Sequence, residues 1–528
     1  MRSAGKVSLA VLVSRVLGLV RDQVFAFCFG ASQLNDAFQV AFRIPNMLRD
    51  LFAEGALSSA FVTVFTRKKA REGNESAWAL ARLMITIQYV VLGALVILGV
   101  LFARPLVALI AHGYVDQPEK FELTVLLTRI LFPFILLVGM AALAMGILNT
   151  YGRFGLPASA SSFFNVGSIV VGLGLALIYD RNFGEVAMIC MAIGSVAGGA
   201  LQWLVQVPTL RRLGFAYRPK WDLRDPGVRD IGRLMAPAII GVSAVQVNVF
   251  INTVFASYLQ TGSMVWLAYA FRLIQLPIGM FGVAISTVSL PGLAVDASLF
   301  DRVAFRERLE RALRLNAAFC IPSAFGLALL STPLIAVLFQ HRRFNAYATE
   351  HTASVLIAYA LGLIGYASTK VLAPAFYALD RTMTPMCVSL GSIVLTICLN
   401  LFFITKTDLG AAGLALTTSL TALLGSGILL AVLSRFLGGM SIETWKAFGK
   451  MIVSALVMSG VVYVTLFLHV WFGVNDSFLG DLSRVMVGVG TGGLVYTGMA
   501  RWLKLDEVLE VERSLLRKLG WNRASEQN

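Results

Sequence analysis

Within apolar runs long enough to form helices, the chain carries charges that such runs normally exclude. Arg15, Gly18 and Asp22 stand at i, i+3 and i+7 on one helix face, and Asp36, Arg43 and Asp50 form a second stripe of that kind. Arg21, Arg49, Arg82, Arg129, Arg272 and Lys370 also fall inside apolar runs, and Glu54 follows the second stripe. A charge at mid-membrane costs about 2.5 to 3.5 kcal/mol even on a lenient insertion scale, so these side chains must face protein or water. A hydrated polar cavity is one reading. The other is ion pairing between helices, which suits Arg43 with Asp36 or Asp50 equally well. Arg82, Arg129 and Lys370 fit snorkelling or helix-end bonding and are set aside.

Arg272 has no carboxylate in its own helix, where its neighbours are Tyr269, Phe271 and Gln275. With Arg15, Arg21 and Arg49 it would make a cationic cavity. The planar guanidinium suits two-point contact with phosphate oxygens, so the expected ligand bears phosphate. Other chemistry finds no support. Gly488, Gly490 and Gly493 fit GxGxxG but lie in an apolar span with no preceding strand, where close helix packing explains them. There is no P-loop, HExxH or GxSxG, and His112, His341, His351 and His469 are isolated. Asp116, Glu119 and Glu122 belong to a short solvated loop. Cys28, Cys190, Cys320, Cys387 and Cys398 form no CxxC pair and read as small core residues. No metal, cofactor or enzymatic centre is expected.

The elements that must position these residues follow from composition. The 528 residues are 57% hydrophobic and 14% charged, with a mean hydropathy of +0.77. Apolar runs of spanning length recur from end to end, which excludes a water-soluble domain and, by their continuity, a transmembrane barrel. The expected fold is an all-α polytopic membrane protein of about 14 transmembrane helices. Spans begin near Val7, Asn35, Trp78, Glu122, Pro157, Gly184, Ile231, Met264, Arg311, His351, Met383, Gly410, Ala447 and Asp481. The first carries a signal peptide's charge pattern, but Arg15, Arg21 and Asp22 interrupt it, so a permanent helix is expected.

A net charge of +15 and a pI near 9.8 would suggest nucleic acid in a soluble protein. Here the basic residues sort by side of the membrane instead, and no nucleic-acid partner is expected. One set of alternate connections holds Arg67, Lys68, Lys69, Arg71, Arg153, Arg211, Arg212, Arg218, Arg302, Arg306, Arg381, Arg435 and the basic tail. The other offers Arg104, Lys120, Arg181, Arg342, Arg343, Lys406 and Arg484, so both termini are expected in the cytoplasm. The chain also echoes itself. Ala41-Phe42-Arg43-Ile44 returns as Ala270-Phe271-Arg272-Leu273 after 229 positions, each near a proline, Pro45 and Pro277. Arg153 to Pro157 returns as Arg381 to Pro385 after 228. Two six-helix lobes are expected, at 1–215 and 225–437, related by a pseudo-two-fold axis along the membrane normal, with a site between them. An extra helix pair at 440–503 and a cytoplasmic tail at 504–528 follow.

The stretch Ser14-Arg15-Val16-Leu17-Gly18-Leu19-Val20-Arg21-Asp22 closely resembles the MurJ (MviN) family of lipid II flippases. So do Asn35-Asp36-Ala37-Phe38, Arg43-Ile44-Pro45-Asn46 and Phe52-Ala53-Glu54-Gly55-Ala56, and, further on, Tyr269 to Leu273, Gln275 to Gly279 and Lys370 to Tyr377. The resemblance implies the multidrug/oligosaccharidyl-lipid/polysaccharide exporter fold, with the two last helices making a lipid-tail groove. It implies a bacterial cytoplasmic (inner) membrane protein that moves undecaprenyl-pyrophosphate disaccharide pentapeptide, lipid II, to the outer leaflet for peptidoglycan synthesis. Its pyrophosphate would meet Arg21, Arg49 and Arg272, with Arg15 nearby, while Asp36 and Glu54 match acidic positions of the family in the cavity or its gates. Membrane lipids are further partners, and cell-wall synthesis enzymes are candidate ones. Two features depart from the pattern. Phe271 stands where some relatives have an acid, and some relatives have a sodium-site acid near Asn252, where Asn252 and Asn248 carry no charge, so no ion site is assigned. An ion-coupled exporter of another lipid-linked oligosaccharide or small molecule is the competing reading. A membrane glycosyltransferase or ligase is a third. Excess arginine disfavours cation export, and no acidic external loop or metal motif supports an enzyme.

Overall fold

A computed structural model describes residues 2–51, 56–471 and 477–518. Among them every regular element is helical. The first half runs α1 Arg2–Phe29, α2 Gln33–Arg49, α3 Ala56–Leu101, α4 Ala103–Ile110, α5 Pro118–Leu131, α6 Pro133–Thr150, α7 Gly155–Tyr179, α8 Glu185–Leu204 and α9 Val207–Arg212. There follow α10 Pro226–Ser257, α11 Ser263–Pro277, α12 Ala284–Ser298, α13 Arg302–Leu329, α14 Ser331–Phe339, α15 Ala346–Leu361 and α16 Leu363–Ala378. The last are α17 Met383–Lys406, α18 Gly410–Leu437, α19 Ile442–Trp471, α20 Phe478–Trp502 and α21 Asp506–Lys518.

Every expected span start lies in or beside one of the long helices. Nine helical stretches of the described residues are long and apolar enough to cross a membrane, and ten if α15 and α16, bent by 42°, count as one span. The helices outside that number include α1 and α2, which carry the arginine stripes.

The chain divides into two compact units. One comprises Met1–Val265 with His341–Phe344, the other Trp266–Gln340 with Asn345–Asn528. The first therefore includes α10, which packs on α3. In that unit α7 and α8 are in backbone contact, because a Cβ on Gly194 would sit 2.4 Å from the Cα of Gly172. One core gathers Phe61, Phe65, Trp78 and Ile147, and a second gathers Phe25, Phe29, Phe38, Leu127 and Met188. Arg67 and Lys68 of α3 reach Asp230 (2.8 Å) and Asp225 (3.7 Å) at the start of α10.

In the second unit α13 buries Ala317, Ala318 and Ile321 against Met451, Ala455 and Met458 of α19. Polar contacts close one end of that packing. Buried Glu310 accepts from the Ser441 backbone N–H (2.8 Å) and the Thr444 hydroxyl (2.7 Å), and Arg314 and Arg311 hold Glu507 (2.6 Å) and Glu510 (2.7 Å) of α21.

Arg153 and Arg381 both follow helix ends of one common type. Arg153 N–H bonds the Leu148 carbonyl at 2.9 Å past left-handed Gly152 (φ 70°), and Arg381 N–H bonds Phe376 at 2.9 Å past left-handed Asp380 (φ 56°). Both are helix ends closed by a six-residue turn. Two expectations are corrected. Cys387 and Cys398 are exposed rather than core, because α17 packs chiefly on α18 and leaves its other face open, whereas Cys28, Cys190 and Cys320 are buried. Lys120 is no loop residue: it lies in the first turn of α5 and is 3% exposed.

Candidate functional site

Arg21 is followed by Asp22, and the pair forms a contact of its own: Nη2 donates to Oδ1 at 3.1 Å, with Asp22 buried. The guanidinium also lies 5.8 Å from the Phe42 ring of α2 and 5.3 Å from the Phe164 ring of α7. Three elements thus fix its position. Arg15 is exposed on α1. Beside it, α7 closes on α1 through Asn165, whose amide donates to the Ser14 carbonyl at 3.2 Å.

The same dipeptide recurs in α2. Arg49 donates Nε and Nη2 to Asp50 Oδ1 at 3.1 and 2.8 Å, and Asp50 Oδ2 accepts from Gln246 of α10 at 3.1 Å. Arg43 donates to Thr253 Oγ1, also in α10, at 3.0 Å. The salt bridges of Asp36 and Asp50 go to Lys120 and Arg49, so the expected pairing of Arg43 with either acid is replaced by contacts with other helices. Each Arg-Asp pair is nearly neutral as a unit.

Asp36 is 1% exposed and lines no open surface. Its carboxylate accepts from Lys120 Nζ (3.0 Å), Gly262 N–H (2.8 Å) and Val265 N–H (3.3 Å). Lys120 in turn sits 4.0 Å over the Tyr114 ring. One buried acid therefore joins α2, α5 and the first turn of α11. Sequence reading missed Lys120 because nothing local distinguishes a lysine after a proline from a loop residue. Glu54 lies outside the described residues.

In the second unit α11 is anchored by Tyr269, Leu273 and Ile274, all buried, which leaves Arg272 and Gln275 exposed on one face. Phe271 packs against Tyr359 with ring centroids 5.3 Å apart. Lys370, set aside on sequence grounds, is exposed in mid-helix on α16. A cavity of about 750 Å³ opens in this unit, walled by Ala317 and Phe325 of α13, Ile364 of α16, Leu430 of α18, and Phe448 and Gly449 of α19. Its lining is almost wholly aliphatic and aromatic.

The comparisons with known proteins agree along most of the chain. A family model described as lipid II flippase MurJ matches residues 25–480. The lipid II flippase MurJ of Burkholderia cenocepacia is 36% identical over 496 residues, 92% of this chain and 94% of that protein. A probable lipid II flippase MurJ of Vibrio cholerae is 39% identical over 434 residues, 80% and 81% of the two chains. Among solved structures, a lipid II flippase MurJ in an inward closed conformation superposes with a TM-score of 0.77 at 29% identity, covering 94% of this chain and 99% of the other. An inward-facing MATE family transporter of the MOP superfamily, 13% identical, shares the fold at a TM-score of 0.62, over 80% and 98%. A family-model match over most of the chain, relatives more than 30% identical over most of its length and a shared fold lead to one assignment: the chain belongs to the lipid II flippase MurJ family.

Proposed function

We propose that this chain carries lipid II from the cytoplasmic to the outer leaflet of the bacterial inner membrane by alternating access. The observation that carries the reading is the family match over residues 25–480, which includes Arg49 and Arg272 and the walls of the apolar cavity. The pyrophosphate is held by Arg21, Arg49 and Arg272, with Arg15 at the approach. The braced geometry of Arg21 and Arg49 supports that role, because a guanidinium already oriented loses little freedom on binding. Lys370 is a further candidate contact, being a cation exposed in mid-helix on α16.

The polyprenyl tail occupies the 750 Å³ cavity, where burial is worth about 0.8 kcal/mol per CH₂. Its walls come from α13, α15, α16, α18 and α19, so α19 is the member of the last helix pair that touches the tail, and α20 packs on α19. Asp36 acts as a gate element by holding the first turn of α11. Fourteen crossings, as two six-helix lobes and a last helix pair, both termini cytoplasmic, and contact with cell-wall synthesis enzymes complete the reading. Depletion in cells, with the leaflet distribution of lipid II measured directly, tests it. Accumulation in the inner leaflet is expected; an unchanged distribution with polymerisation blocked would point to a ligase instead.

A further inference from the structure

Arginines at the helix ends of the second unit mostly meet carboxylates, as Arg308 meets Asp296 at 2.6 Å and Arg314 meets Glu507 at 2.6 Å. Two do otherwise. Arg302, the first residue of α13, and Arg381, in the turn before α17, both place their guanidinium on the ring of Phe436, with Cζ 4.8 and 3.9 Å from its centroid. Both are exposed, and among the described residues neither forms an ion pair. The nearby Asp301 carboxylate caps α13, accepting from Val303 and Ala304 N–H at 3.1 and 3.0 Å. Arg435 adds a third exposed positive charge one residue before the ring. An aromatic face can orient two guanidiniums but cannot neutralise them. An anion can.

What surrounds the pair says which anion. Two residues past Arg381, α17 begins a stripe of exposed apolar side chains, Met383 (64%), Leu390 (52%), Val394 (62%) and Leu401 (53%), on one helix face. Before Arg302 stand Leu299 and Phe300, 70% and 90% exposed, the latter in the left-handed region at φ 56°. Cations therefore sit where an exposed charged end meets an exposed apolar wall. The positive-inside count puts that end in the cytoplasm, at the depth of lipid headgroups.

We propose that Arg302 and Arg381, stacked on Phe436, bind the phosphate of an anionic glycerophospholipid in the cytoplasmic leaflet, whose acyl chains lie along α17. The lipid is a resident ligand of the outer wall of this unit and shares no residue with the arginines assigned to the transported pyrophosphate. Its binding weakens as salt rises, because the contact is exposed and charge-assisted.

The test uses full-length protein in neutral detergent and native mass spectrometry. Phosphatidylglycerol, phosphatidylcholine and inorganic phosphate are added separately to the wild type, to Arg302→Gln/Arg381→Gln, to Arg302→Lys/Arg381→Lys and to Phe436→Leu. The glutamine pair should weaken the tightest phosphatidylglycerol site by on the order of tenfold or more, since charge-assisted two-point bonds are lost. The lysine pair should keep part of the affinity. Phosphatidylcholine should bind less tightly, and inorganic phosphate should not displace the lipid. Unchanged phosphatidylglycerol affinity in the glutamine pair overturns the proposal. Displacement by inorganic phosphate at equal concentration does so too, by revealing a free-anion site. If the glutamine pair fails to fold, Phe436→Leu decides, as it keeps every charge and removes the platform: wild-type affinity there overturns the proposal, and weakened affinity with a normal melting temperature upholds it.

Discussion

Arg21 and Arg49 are each followed by an aspartate that grips them, so their electrostatic role is not that of bare cations. If they serve the pyrophosphate, Arg21→Ala, Arg49→Ala and Arg272→Ala should each lower lipid II export tenfold or more at normal abundance, since a charge-assisted bond is worth about 1.5 to 3 kcal/mol. Lysine should rescue only in part, because it restores charge without the planar fork. If they serve Asp22 and Asp50 instead, alanine would strand a carboxylate and reduce abundance, and swapping the two charges would restore function. Abundance, lipid II binding and export measured together separate these cases. Asp36 obeys a different rule, being 1% exposed and fully bonded. Lys120→Met should cost about 3 to 5 kcal/mol by leaving that acid buried and uncompensated, whereas adding Asp36→Asn should recover much of the loss. Thermal unfolding of the two variants in detergent checks the order.

Elements impose their own constraints. Loss of everything after about Met440 would uncover the α13 face that packs on α19, so truncation confounds groove and fold. A cleaner change exists at Gly449, which lines the cavity and where an added Cβ meets nothing within 4 Å. Gly449→Phe should fill the cavity, keep or raise helix stability by up to about 1 kcal/mol, and weaken lipid II binding. Unaltered affinity of that variant for lipid II, with unaltered affinity for a short-chain analogue, would place the tail elsewhere. Gly30 ends α1 at φ 61°, and a Cβ there would lie 2.3 Å from the Arg343 carbonyl oxygen. Gly30→Ala should therefore destabilise by about 1 to 2 kcal/mol from the backbone alone, with displacement of the 341–344 segment added. Arg343, which donates to the Phe183 carbonyl at 2.8 Å, would be pulled from that contact, and a lowered melting temperature reports it.

At the scale of the molecule the claim at stake is orientation. In a background without native cysteines, single cysteines at Ala70 and Arg218, both exposed, should be shielded from an impermeant thiol reagent applied outside the cell. One at Gln260, exposed in the α10–α11 link, should react. The opposite labelling pattern would reverse the assignment of both termini. It would also move the Asp36–Lys120 joint from the outer side to the cytoplasmic side, because Gly262, two residues beyond Gln260, is bonded to Asp36.

Helix positions were legible because each depends on about twenty consecutive residues, and a local sum of hydropathy finds them wherever they pack. The arginine stripes were legible for the same reason: a charge in an apolar run is visible without knowing its neighbours. The residues before Arg153 and Arg381 close their helices by the same kind of turn, which also occurs before Phe215, Asp301 and Leu505. Partners were another matter. Lys120 looked like a loop residue and is the buried counter-charge of Asp36, 84 positions away. Asp50 looked like a partner for Arg43 and instead holds Arg49 and Gln246, the latter 196 positions away. The apolar cavity is walled by α19 with α13, α15, α16 and α18, segments far apart in the sequence. Likewise α10, expected to open the second lobe, packs within the first compact unit. Sequence determined which segments leave water and which charges go with them, because transfer into a bilayer is a property of each segment. Tertiary structure decided which charge meets which, because a buried ion pair is made by two side chains whose separation along the chain says nothing of their distance in space.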